Sequence, residues 1–161
     1  MKKTCTLLLS IILIVVCLYS CKDKSKLILI KKPTSQYSIE YKDSVINICY
    51  KEKDQYHSSF SLIRNNDLFF DKEDSSFILS LRDTTIYTYD NHLHLKFMLR
   101  IRKIEDNLYV AENYQLPYDN RDFSELTIKD NIKPLIHYYY DSNYHIVRIH
   151  RFDEADDFIL K

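Results

Sequence analysis

The chain has 161 residues, carries 23 Lys and Arg against 23 Asp and Glu, and contains no glycine. Balanced charge supplies no basic field to gather phosphates, so nucleic acid is not expected as the main partner. Without glycine there is no G-x-G-x-x-G fingerprint, no Walker A loop and no G-x-S-x-G elbow, each of which needs backbone conformations or close approaches that glycine permits, and no cofactor is expected.

The first element is a leader. Lys2 and Lys3 form a positive end, and eighteen uncharged residues follow, Thr4 to Cys21, with an apolar heart from Leu7 to Leu18 broken only by Ser10. A basic end followed by an apolar segment is the layout of an export signal. It closes on Leu18-Tyr19-Ser20-Cys21, with no A-x-A cleavage site, directly before Lys22-Asp23-Lys24.

These residues resemble a bacterial lipoprotein signal, whose lipobox reads Leu, two mostly small residues, then Cys. Leu18, Ser20 and Cys21 match it, and Tyr19 is bulkier than the usual residue. The resemblance implies that residues 1–20 are a signal peptide, that Cys21 is the first mature residue and the site of lipidation, and that the membrane is a partner through the lipid anchor. Lys22 after the cysteine favours the outer membrane. Lys22-Asp23 also resembles the start of the surface-export signal of Bacteroidota lipoproteins, from which Lys24 departs, and the periplasmic and surface faces both stay open. The alternatives are an uncleaved transmembrane anchor, for which eighteen residues lie near the lower limit of a span, and a secreted soluble protein.

Residues 21–35 are read as the lipidated cysteine and a tether, with Leu27-Ile28-Leu29-Ile30 as a candidate first strand, and 36–161 as a single β-rich domain. The mature part carries 21 cations against 23 acids, since Lys2 and Lys3 leave (23 − 2 = 21), a formal balance of −2. Once Cys5 and Cys17 leave and Cys21 is acylated, Cys49 stands alone. Stability must then come from burial rather than disulfides, and Cys49 is read as a structural thiol, against a nucleophile with His57 as base.

Short strand-like runs follow, punctuated by polar turns: 37–41, 45–50, 58–64 and 67–70 around Asn65-Asn66, then 77–81 and 84–89 around Arg82-Asp83. With no glycine, positive-φ turn positions fall to Asn and Asp. The clearest strand is His92–Lys103, where Leu93, Leu95, Phe97, Leu99 and Ile101 share one face and His92, His94, Lys96, Met98, Arg100 and Arg102 the other. Leu95, Phe97 and Leu99 are expected in the core. Glu105-Asp106-Asn107 turns the chain into 108–114, Asp122-Phe123-Ser124-Glu125 has a capping-box arrangement, and 135–140 and 144–152 make the last hairpin. The fold class is mostly β, an antiparallel meander in a sandwich, barrel or curved sheet, with one short helix near residues 123–129.

Three clusters are candidates for chemistry or binding. His92 and His94 lie two apart on a strand, so their imidazoles share a face and could hold a metal with His137, His145 or His150 as third ligand. The cations Lys96, Arg100 and Arg102 continue that face and oppose a divalent ion. Asp153, Glu154, Asp156 and Asp157 could gather Ca²⁺ but lack the spacing of a calcium loop and read as a solvated segment. Tyr138, Tyr139, Tyr140 and Tyr144 crowd one turn in a chain with 14 tyrosines and no tryptophan, and amphipathic rings there suit a protein or peptide partner or else sheet packing. The expected function is that of a cell-envelope lipoprotein with a binding or accessory domain. The alternatives are an immunity-type protein that blocks a toxin and a metal-dependent envelope enzyme using His92 and His94.

Overall fold

The computed structural model describes residues 24–29 (backbone only), 35–53, 55–73, 78–90, 95–117, 132–152 and 156–160. Among these there are strands and turns and no helix. The first six strands are β1 (Lys24–Leu29), β2 (Ser35–Lys42), β3 (Val45–Glu52), β4 (Gln55–Asn65), β5 (Leu68–Asp71) and β6 (Ile78–Ser80). The second six are β7 (Thr84–Asp90), β8 (Leu95–Glu105), β9 (Leu108–Leu116), β10 (Lys133–Tyr140), β11 (Ile146–Arg151) and β12 (Asp156–Leu160). The expected helix near 123–129 lies outside the described residues.

Strand pairing runs β6-β5-β4-β3-β2-β1-β12-β11-β10-β9-β8-β7. Every neighbour is next in the chain except β1 and β12, which pair antiparallel through Leu27 with Leu160 and Leu29 with Phe158. The meander therefore comes back on itself: β2–β6 make one layer, β7–β12 the other, and β1 joins them. It is the expected antiparallel β architecture, in its sandwich form. β1 falls inside the stretch assigned to the tether, so among the described residues sheet structure begins at Lys24.

Alternation sets what each layer buries. Tyr37 and Ile39 of β2 and Ile46 and Ile48 of β3 meet Tyr138 and Tyr140 of β10, Ile149 of β11 and Phe158 of β12 in one core. Aromatic contacts cross the gap: Tyr37 meets Phe158 edge-on at 4.8 Å, Phe60 meets Tyr138 at 6.5 Å, and Phe69 meets Tyr144 at 5.0 Å. Such pairs add to the area burial that holds the layers together. In β8 the core residues are Leu99 and Ile101. Leu95 and Phe97 share their face, as the alternation demands, but are only half-buried. The expected place of Phe97 in the core is corrected: its cross-strand neighbours are the polar Thr88 and Gln115, so the core has thinned out there.

The end of the meander at β6 is closed off by a side chain. The Tyr140 hydroxyl accepts from the Ser80 N–H (3.2 Å) and donates to the Ser80 C=O (2.6 Å). A backbone pair left over at the margin of a sheet is thus satisfied from the opposite layer. Positive φ falls on Lys53 (49°), Asn66 (55°) and Tyr144 (65°). Asn66 follows the expected substitution for glycine; Tyr144 does not, and the left-handed region is costly for a bulky residue. Its turn is held by Asp141, whose carboxylate accepts from the Asn143 and His145 N–H groups, while the Tyr144 ring stacks on Tyr140 and its hydroxyl donates to the Asp67 carbonyl.

The strand directions give the sandwich two distinct ends. Lys24 pairs with Glu40 near the end of β2, so β1 starts at the end where β2 turns into β3 through Asp43-Ser44. The same end carries the tight connections β4–β5, β6–β7, β8–β9 and β10–β11; β12 runs toward it, with Leu160 pairing with Leu27 and so level with Tyr37 of β2.

Candidate functional site

Residues of β8–β12 that point away from the core form the most organised polar surface among the described residues. One cross-strand row reads Arg100, Glu112, His137, His150, Asp157, each in register with the next. The row beside it reads Arg102, Val110, Tyr139, Arg148, Ile159. Alternation sends these side chains to one face, because Tyr109, Ala111, Tyr138 and Ile149 on the same strands fill the core.

Glu112 is the centre of this face. It is 3 % exposed although it points away from the core. Arg100 Nε donates to its Oε2 at 2.7 Å, Arg102 Nη2 to its Oε1 at 2.9 Å, and Arg102 Nε to Oε2 at 3.2 Å. Burial pushes its pKa up, but the hydrogen bonds from Arg102 and Arg100 outweigh burial and hold the carboxyl below its ordinary value. The same hydrogen bonds raise both guanidinium pKa values. Arg100 also donates to the Tyr114 hydroxyl at 3.2 Å and lies over that ring at 5.6 Å. Both guanidinium side chains stay part-exposed, at 40 % and 48 %, so a buried anion presents two cations to solvent.

The far end of the face repeats the motif. Arg148 grips Asp157 in a two-bonded fork, Nε–Oδ1 2.7 Å and Nη2–Oδ2 2.9 Å, and lies 4.9 Å over the Tyr139 ring. Between the two forks sit the imidazoles. His137 packs against Tyr114 (5.4 Å) and Phe152 (4.6 Å), and His150 against Phe152 (4.3 Å). Burial lowers the His137 pKa to about 4, which keeps the ring neutral at pH 7, and its Nε2 is buried without a hydrogen-bond partner. The His150 Nδ1 lies 3.5 Å from Asp157 Oδ1 and makes no hydrogen bond to it. Three guanidiniums against two carboxylates leave this face net positive and aromatic. The arrangement suits recognition of carboxylate or other anionic oxygens, because the planar guanidinium fork matches them two bonds at a time.

The tyrosine cluster expected at a partner surface is corrected. Tyr138, Tyr140 and Tyr144 are 6 %, 0 % and 6 % exposed and belong to the core. They pack against Phe60, Tyr109 and Phe69. Tyr139 alone of the four lies on the outer face. Strand alternation separates Tyr139 from Tyr138 and Tyr140, and the larger set takes the inside.

His92 and His94 lie outside the described residues. Among the described residues no group of three His, Cys, Asp or Glu side chains is placed to hold a metal ion. Of the three candidate third ligands, His137 and His150 are engaged as above, and His145 sits in the β10–β11 turn, 3.4 Å from Asp141 and edge-on to Tyr41. Asp157 of the acidic segment is taken by Arg148, and Asp153 and Glu154 are outside the described residues. Cys49 is a free, half-buried thiol, and His57 packs against Tyr50 at 5.6 Å.

Sequence reasoning placed Arg100 and Arg102 on one face but saw them only as an obstacle to a metal. Glu112 was not singled out, and His137 only as a candidate third metal ligand. A signal existed, since Glu112 interrupts the otherwise apolar 108–111 run, but its partners on β8 and β10 become neighbours only through register. Comparison of the chain with protein-family models, with curated proteins and with solved structures gives no match.

Proposed function

We propose that this protein is a lipid-anchored component of the bacterial cell envelope whose β domain binds a protein or peptide partner through the outer face of β8–β12. The observation that carries the reading is the pair of half-exposed guanidiniums, Arg100 and Arg102, held in place by the buried Glu112. Fixed arginines beside aromatic rings have the composition of interface anchors, and pre-orienting them lowers the ordering cost of binding. Among the described residues the face brings no nucleophile beside a base, and its neutral, buried His137 suits packing better than proton transfer. An acidic segment of the partner is the natural complement. The anchor is supported by Leu18-Tyr19-Ser20-Cys21.

A photoreactive residue in place of Tyr139, compared with one in place of Ser38 on the outside of the other layer, tests the binding face in intact cells. One discrete adduct from position 139 and none from position 38 is expected, weakened when Arg148 is changed to Ala. The same adducts from both positions, or none from position 139, would refute the assignment. For the anchor, Cys21→Ala should abolish fatty-acid labelling and leave the precursor unprocessed.

A further inference from the structure

We propose that the open side of β4 over Gln55–Ser59 is a docking edge for one extended segment of a partner protein, which adds to the sheet as a further strand. This surface lies in the layer opposite the face of β8–β12 and does not depend on it.

The first argument is hydrogen bonding. β4 pairs with β3 from Gln55 to Ile63, but with β5 only from Leu62 to Asn65. The last bond on the β5 side runs from the Lys72 N–H to the Ser61 C=O at 3.1 Å, while the Arg64 N–H donates to the Ser44 C=O on the β3 side at 2.8 Å. Backbone groups turn to alternate sides from one strand residue to the next, and the register is regular from Ser58 to Ile63. Ser61 therefore faces β5, and Ser59 directs both its N–H and its C=O to the side that β5 has already left. At the margin of β6 a leftover pair of this kind is met by Tyr140; among the described residues nothing takes that role for Ser59. An extended chain laid alongside supplies both bonds.

The second argument is exposure and charge. Gln55 to Ser59 are all exposed although they sit in a paired strand, and Tyr56 is 60 % exposed. Natural edge strands are commonly guarded against pairing by charged residues or proline. From Gln55 to Ile63 there is no Lys, Arg, Asp, Glu or Pro, in a chain of which 29 % is charged.

The shape of the slot selects its occupant. Five strand residues span about 17 Å. β5 closes the slot at Asp71, opposite Leu62, so the segment is short and ends or turns there. A second copy presenting its own β4 does not fit, because its β5 fills the same side from Leu62 onward and two such edges cannot close on each other. The edge offers no ion to pair with, so the segment is low in charge, unlike the acidic one matched to Arg100 and Arg102.

The test uses the full chain in intact cells, with a photoreactive residue in place of Tyr56. Ser38 lies three strand spacings, about 14 Å, from the added segment, so an adduct at 56 and silence at 38 are compatible. A discrete adduct with a different protein is expected from position 56. In the same background Ser59→Pro should abolish it and Ser59→Ala should leave it, because proline removes the outward N–H without breaking a bond to β3. Ser59→Pro purified in detergent should melt at the wild-type temperature. No adduct from position 56, an adduct with a second copy of this chain, an adduct that survives Ser59→Pro, or its loss in both variants alike would overturn the proposal. So would unfolding of Ser59→Pro, since the Ser59 N–H would then belong to the fold.

Discussion

Tyr140→Phe removes one oxygen atom from the core and nothing else. The ring is fully buried, stacked between Tyr109 (5.8 Å) and Tyr144 (6.1 Å), and phenylalanine fills the same space in the same rotamer. What is lost is the hydroxyl that serves both the N–H and the C=O of Ser80. Ser80 is itself buried, so water cannot simply replace it. Two hydrogen bonds at about 1 kcal/mol each, plus part of the desolvation cost of leaving the backbone groups unpaired, give a loss of about 3 kcal/mol. For a domain of this size that corresponds to a fall in melting temperature of about 6–12 °C. Urea unfolding of the two proteins measures it, with an unchanged m-value showing that the unfolded state is the same. Tyr139→Phe, one residue away on the outer face, is the control and should change stability by less than about 0.5 kcal/mol. If Tyr140→Phe were equally silent, the hydroxyl would not be closing the margin of β6, and the account of how this sheet ends would be wrong.

Other outcomes follow from the same geometry. Glu112→Gln should cost about 2–3 kcal/mol, less than for a fully buried pair because both arginines can turn to water. Glu112 has a lowered folded pKa, so its contribution is present above the unfolded carboxylate pKa and lost as pH falls through the folded value; urea midpoints should show that acid-side loss in the wild type and less of it in Glu112→Gln. His137, lowered from 6.5 to about 4, works in the same direction at higher pH: the unfolded chain takes up a proton that the native state refuses, so stability falls as pH drops from about 6.5 to 4, and His137→Asn should flatten that slope. Ile101→Ala should cost about 2–5 kcal/mol and Phe97→Ala distinctly less than the 3–5 kcal/mol of a fully buried phenylalanine, since Ile101 is 1 % exposed and Phe97 only half-buried. Equal losses at the two positions would place the core boundary elsewhere along β8.

The period-two run from Leu95 to Ile101 was enough to predict a strand with a fixed division of faces, because a one-residue slip would send every apolar side chain to the other side. The same rule separates Tyr139 from Tyr138 and Tyr140, and the polar pairs between runs marked turns that exist at Asn66 and Asp106-Asn107. Local rules stop where the second layer begins to matter. Whether Tyr139 or its two neighbours point inward depends on Phe60 and Ser80 waiting across the gap, 78 positions from Tyr138 and 60 from Tyr140 along the chain. Tyr144 takes a backbone conformation that its own side chain disfavours because Phe69, Tyr140 and the Asp67 carbonyl receive that ring, a gain no local propensity records. Phe97 obeys the alternation yet misses the core, since burial needs an opposing layer as well as a face. The row Arg100–Glu112–His137–His150–Asp157 is drawn from five strands, and only strand register turns five scattered polar residues into one surface; alternation within a strand cannot, because it carries no information about which residue of the next strand lies opposite.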